Sequence, residues 1–282
     1  MLACAAVAAA LATAPLVAQE PAAAEPPYLR DRGTGVRTSL LGSYVRQGEL
    51  LVYPFFEWYA DANLEYKPSE LGYGASPVDY RGRYRASEGI LFFGYGLTAD
   101  LALEFEAAVI SAELRTSPQD TSSATPPEVR ESGLGDVEGQ IRWRFQRETA
   151  TRPELFTYFG TVLPLQKDRN LIGTQHWEHF FGIGLVRGFR WGTVTVRAAG
   201  EYSAAARPQF DAGEYAIEYL RRLSPAWRVV AAIEGNQVDE VSLLTEIQWH
   251  VSPHAVLKLN NGWGLTPNAT DFAPEVGFMF SF

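Results

Sequence analysis

From Leu50 to the C-terminus, apolar and polar side chains alternate with a period of two rather than 3.6. In 136–145 (DVEGQIRWRF), Val137, Gly139, Ile141, Trp143 and Phe145 share one face, and Asp136, Glu138, Gln140, Arg142 and Arg144 the other. The same division runs through 240–251 (EVSLLTEIQWHV), 193–202 (TVTVRAAGEY) and 101–109. A strand points successive side chains to opposite faces, so each segment is greasy on one side and charged on the other. The pattern predicts about twelve strands, near 50–62, 80–97, 100–114, 134–146, 154–165, 176–189, 193–202, 213–222, 227–234, 240–251, 255–265 and 274–282. No stretch after residue 30 carries convincing helical periodicity.

The connections alternate in length. Short joints fall near 98–100, 147–153, 190–192, 223–226 and 252–254, and longer polar loops near 63–79, 115–133, 166–175, 203–212 and 266–273, with a brief one at 235–239. Short turns at one end and long loops at the other are the layout of a transmembrane antiparallel up-and-down β-barrel. Residues 36–45 (VRTSLLGSYV) also look like strand. An extra wall strand would make the count odd, so they are expected to extend the first strand or to pack near the periplasmic opening.

A soluble β-sandwich alternates too, with its apolar face inward. Two features favour the barrel. All seven tryptophans (Trp58, Trp143, Trp177, Trp191, Trp227, Trp249, Trp263) lie near proposed strand ends or in turns, where an indole keeps its ring apolar and its N–H wet. The chain also ends with Val276, Phe278, Phe280 and Phe282 on one face. These tryptophans and Phe282 are the expected membrane girdle. The charged face carries both signs: Glu104, Glu106, Glu138, Arg142, Arg144, Arg197, Glu201, Glu218, Arg222, Arg228, Glu234, Glu246 and Lys258 are expected to line the lumen.

The only long apolar run, residues 2–18 (LACAAVAAALATAPLVA), is uncharged and followed by AAAEPP at 22–27. It reads as a cleaved signal peptide over 1–24. Residues 25–49 then form a periplasmic N-terminal segment that includes the start of the first strand, and 50–282 form the barrel. One cysteine rules out an internal disulfide framework. A net charge of −9 and a pI near 5.1 argue against a nucleic-acid binder. A mean hydropathy of −0.12 is too polar for a bundle of membrane helices.

The stretch 131–145 (ESGLGDVEGQIRWRF), followed by Leu163 and Pro164, resembles the Gly-Leu-Gly-Asp-Val strand signature and Leu-Pro strand end of the outer-membrane transporter family named for the MetA pathway of phenol degradation. The resemblance covers about residues 80–282 and departs at Leu165 and Gln166, where family members often continue Thr-Gly. It implies an outer-membrane barrel that transports solutes, in some members hydrophobic or aromatic ones, and implies no catalytic residue. The aromatic C-terminus is similar to the signal by which bacterial barrels are recognised by the β-barrel assembly machinery.

Other chemistry is thin. Gly133, Gly135 and Gly139 have GxGxxxG spacing and lead into a strand, which fails the Rossmann requirement. His176 and Glu178 of QHWEH fall on one strand face and His179 on the other, a poor metal or catalytic geometry. A phospholipase barrel would need a His closely followed by Ser-Asn-Gly, but Asn260, Asn261 and Gly262 lack the preceding Ser. The sequence therefore reads as a Gram-negative outer-membrane porin-like channel for passive passage of small solutes among outer-membrane lipids. It is expected to be no enzyme, with no cofactor and no metal. A closed structural or binding barrel and a phospholipase-like enzyme stand as the alternatives.

Overall fold

The alternating segments pair edge to edge until the last meets the first. In the computed structural model, which describes residues 26–282 except 75–77, 122, 167, 206–208 and 238, the wall consists of twelve strands. They are β3 (Leu50–Tyr66), β4 (Tyr80–Gly96), β5 (Leu101–Arg115), β6 (Glu128–Gln146), β7 (Glu154–Val162), β8 (Glu178–Phe189), β9 (Gly192–Ser203), β10 (Gln209–Arg222), β11 (Trp227–Gly235), β12 (Val241–Ser252), β13 (Ala255–Gly264) and β14 (Phe272–Ser281). Each pairs antiparallel with its neighbours in sequence, and β14 closes on β3. Leu50 and Phe282 exchange two backbone hydrogen bonds of 3.0 Å, so the seam extends to the last residue. Closure removes the unpaired edges that hydrocarbon would not tolerate. The signal segment expected at 1–24 lies outside the described residues.

The wall is inside-out relative to a soluble protein. Ile141, Val196 and Ile247 are 41%, 42% and 49% exposed on the exterior, whereas Arg142 and Glu246 are 1% and 2% exposed within. An arrangement with these groups reversed would have been the β-sandwich.

The wall is not of even height. β3 to β6 run to 17, 17, 15 and 19 residues, while β7 has 9. β6 begins at Glu128 and β10 at Gln209, so the loops expected at 115–133 and 203–212 are partly strand. Hydrophobic alternation reports a strand only where one face meets lipid, and 128–133 has polar side chains on both faces. Gly133 and Gly135, expected as a loop leading into a strand, therefore lie inside β6, beside a bulge opposite Ala107 and Val109. A Cβ on Gly135 would stand 2.3 Å from the Ile110 side chain.

Residues 36–45 add no wall strand. They form a separate hairpin, β1 (Val36–Arg37) with β2 (Tyr44–Val45), folded into the barrel at the short-turn end. Interior packing over β7 to β9 uses aromatic rings laid across glycines: Phe180 over Gly160, Tyr158 over Gly182 and Phe156 over Gly184. Each glycine leaves the space that its neighbour's ring fills.

Candidate functional site

The interior has two unlike walls. On β3, β4 and β5, both strand faces are apolar over much of their length, as the runs LLVYPFF and ILFF require. Their inward residues Tyr53, Phe55, Ile90, Phe92 and Ile110 form one buried cluster with Ala86, Ala108 and Ala112. Leu40, at the tip of the β1–β2 hairpin, packs on this cluster, and so do Leu171 and Ile172 from the β7–β8 loop. That loop is anchored by Glu131, which accepts hydrogen bonds from the backbone N–H groups of Asn170 and Leu171.

The opposite wall, β6 to β13, is charged. All thirteen residues expected in the lumen are buried or half-buried on the interior face. The fold brings several of them together. Arg142 pairs with Glu104 at 2.9 Å and lies 4.6 Å from the centre of the Tyr158 ring. Lys258 pairs with Glu246 at 3.1 Å and lies 4.9 Å from the Tyr53 ring. Arg197 reaches Glu234 at 3.3 Å. Others are kept apart from cations: Glu106 faces Glu138 directly across β5 and β6, and among the described residues neither has an ion-pair partner. Arg222 and Arg228 line a cavity of about 260 Å³ at the short-turn end.

Sequence reasoning missed a second set. Glu57 stands directly opposite both Glu88 and Glu275, a row of three carboxylates across β4, β3 and β14. Tyr53 donates a hydrogen bond to Glu275. Directly opposed like charges are unfavourable, and among the described residues none of the three has a cation within ion-pair distance. The available signal was a lone carboxylate inside an otherwise apolar run, as in PFFEWY and SEGILFF.

The hairpin is held by ions on nearly every side. Arg32 is clamped by Glu148 at 2.8 Å and Glu154 at 2.9 Å, with all three side chains buried. Burial opposes its charge, but Glu154, Tyr44 and Glu148 more than compensate and raise its pKa above the ordinary arginine value. Arg37 reaches Glu218 at 2.6 Å, and the Ser39 N–H donates to Glu104 at 3.0 Å. Lys258 donates to the Leu41 carbonyl at 3.1 Å, and Arg144 to that of Gly35 at 2.8 Å. These bonds reach β5, β6, β7, β10 and β13. Above the hairpin tip, a cavity of about 250 Å³ lies among Ser39, Arg142, Tyr158, Phe180, Arg197 and Glu214.

The expected girdle residues are all on the exterior, between 39% and 71% exposed. Trp143, Trp191, Trp227 and Trp249 sit at the short-turn end, with Trp227 and Trp249 stacked at 5.7 Å. Trp58, Trp177 and Trp263 sit at the long-loop end, where Trp58 and Trp263 both contact Phe272. Phe282 ends the seam at the short-turn side. His179 points outward, stacked near Phe159, Trp177 and Tyr202, while Glu178 lines the interior cavity on the other face. Among the described residues, no group of three His, Cys, Asp or Glu side chains could hold a metal ion.

A closed, inside-out, twelve-stranded wall with short turns at one end defines a transmembrane antiparallel up-and-down β-barrel. Among solved structures, the chain is similar to an outer membrane channel from Pseudomonas putida F1, with a TM-score of 0.61 and 13% identity over 84% of this chain and 96% of that one. It is also similar to the translocator domain of the autotransporter NalP from Neisseria meningitidis, with a TM-score of 0.50 and 10% identity over 84% of this chain and 89% of that one. At these identities the likeness is one of fold. No family model and no curated protein sequence matches the chain.

Proposed function

We propose that the protein is a bacterial outer-membrane channel through which small amphipathic or aromatic solutes pass without energy input. The observation that carries this reading is the cavity beyond the hairpin tip, where the rings of Tyr158 and Phe180 line the same space as the guanidiniums of Arg142 and Arg197. A solute with an apolar body and a polar group finds a surface for each. The cavity of about 250 Å³ is large enough for a single ring, since an apolar cavity of roughly 150 Å³ already admits benzene. The outer membrane channel of similar fold supports the reading, as does the resemblance at 131–145 to the phenol-pathway transporters. No catalytic residue is assigned.

In this reading the thirteen interior charges line the path, and the tryptophans with Phe282 seat the barrel between two lipid interfaces. The leader at 1–24 exports the chain, and the C-terminal strand is presented to the β-barrel assembly machinery. The β1–β2 hairpin is a plug whose displacement controls passage.

The ion pairs around that plug also favour a second reading, a barrel kept shut as a structural or binding element. Planar-bilayer recording and liposome flux on the full chain decide between them. Discrete current steps, and faster entry of a small aromatic acid than of a sugar of equal size, are expected. Absence of current and flux, both in the native chain and after Arg32→Ala loosens the hairpin, would overturn the channel in favour of the closed barrel.

A further inference from the structure

The exterior of β4, β5 and β6 carries a feature that the channel reading does not use. Outward residues on these strands climb in register from the apolar band toward the long-loop end. Gly89, Val109 and Leu134 form the last greasy row, with Val109 61% exposed. Next come three hydroxyls abreast, Ser87, Ser111 and Ser132, level with Trp58 on β3. Above them stand Arg85, Glu113 and Arg130, then Arg83, Arg115 and Glu128.

These two upper rows hold four guanidiniums against two carboxylates. Glu113 and Glu128 are already engaged by Arg115 and Arg130, at 2.8 Å for Arg115 with Glu113 and 3.1 Å for Arg130 with Glu113. Among the described residues, Arg83 and Arg85 have no carboxylate within ion-pair distance. Arg83 is moreover directly opposite Arg115, a like-charge pairing that costs stability unless an anion bridges it. A cavity of about 410 Å³ lies here, bounded by Arg85, Arg130, Arg169 and the three serines, with Glu113 and Glu131 also on its lining, the first paired with Arg115 and Arg130 and the second bonded to the Asn170 and Leu171 N–H groups. The concentration of positive charge occurs on a chain of net charge −9.

We propose that this face binds the phosphate groups of an anionic glycolipid headgroup in the surrounding leaflet. Guanidinium forks match phosphate oxygens two at a time, and the serine hydroxyls supply further donors one row below. Long loops face the cell exterior in barrels of this layout, so the leaflet concerned is the outer one. The choice of a lipid over a free anion rests on height: the greasy row of Gly89, Val109 and Leu134 lies beneath the cationic rows with only the serine row between, where acyl chains joined to such a headgroup would run. The inference does not depend on what the interior transports.

The test is native mass spectrometry of the folded, detergent-solubilised chain, titrated with bis-phosphorylated lipid A. Binding is expected, with the double variant Arg83→Gln/Arg85→Gln weakened by about tenfold or more. Glu113→Gln, which leaves Arg115 and Arg130 to share Glu128 alone, is expected to bind more tightly, a direction that damage to the fold would not produce. Arg152→Gln, at the short-turn end, is the control and should bind as the native chain does. The proposal is overturned if the double variant binds within about twofold of native despite the lost charge-assisted bonds. It is equally overturned if dephosphorylated lipid A binds as well, or if millimolar inorganic phosphate displaces the lipid completely.

Discussion

Replacing Arg32 with alanine isolates the forces that keep the hairpin inside the barrel. Arg32 joins Glu148 and Glu154 with every side chain of the trio buried, and its guanidinium also lies 5.4 Å from the Tyr44 ring. Removing one member of a buried ionic cluster typically costs about 3–5 kcal/mol, because it leaves charge uncompensated. Here the lower end applies. Glu154 keeps Arg144 at 3.2 Å, and Glu148 keeps Arg187 at 3.4 Å and the Gly188 N–H at 2.8 Å. A loss of about 3 kcal/mol in the docked state alone raises the undocked fraction by roughly 100-fold, at 1.4 kcal/mol per factor of ten. Val36 is 1% exposed and Cys4 is the chain's one native cysteine, so the double variant Cys4→Ser/Val36→Cys places a single reporter thiol on the hairpin. With a membrane-impermeant maleimide, Arg32→Ala should raise the labelling rate of that thiol by about two orders of magnitude, since labelling follows the open fraction. An unchanged rate in a barrel that still shows folded, heat-modifiable migration would refute the view that the ionic clamp holds the plug.

Three further outcomes follow from the packing. Glu104→Gln leaves Arg142 buried without its counter-charge and should lower stability by about 3–5 kcal/mol, measured as the urea midpoint in micelles. Gly184→Ala sets a Cβ 2.1 Å from the Phe156 ring, and overpacking of this kind costs about 1–3 kcal/mol by the same measurement, whereas an exposed glycine such as Gly89 should tolerate alanine. In the β4–β5 turn, Arg147 at 2.6 Å holds the Asp100 carboxyl below its ordinary pKa against the opposing effect of burial, with help from Arg144 at 2.9 Å. A depressed carboxylate stabilises the fold fully above its unfolded value of about 3.9 and loses that contribution as pH falls through the folded value. Acid unfolding of Asp100→Asn should therefore lack this component below about pH 4, and identical acid profiles for variant and native chain would contradict it.

The outward tryptophans and the charged interior face were legible because each lies on one side of a period-two strand, and the period alone sorts them. The apolar half of the interior was not. In LLVYPFF and ILFF both faces are greasy, so alternation carries no information about which residues turn inward, and Tyr53, Phe92 and the lone Glu57 passed without notice. The polar upper part of β6 was hidden for the converse reason, since both of its faces are hydrophilic beyond the lipid.

Local periodicity was enough to set the central part of each wall strand, its outward face and the two ends of the barrel, because a strand and a bilayer each impose a rule on near neighbours. Tertiary structure alone decided that residues 36–45 turn into the hollow, that Ile172 descends from a loop onto the same wall as Leu40, and that Arg32 meets carboxylates 116 and 122 positions away. Those outcomes depend on closure. Only when β14 meets β3 does an interior exist, and only then do charges far apart in the chain face one another across it.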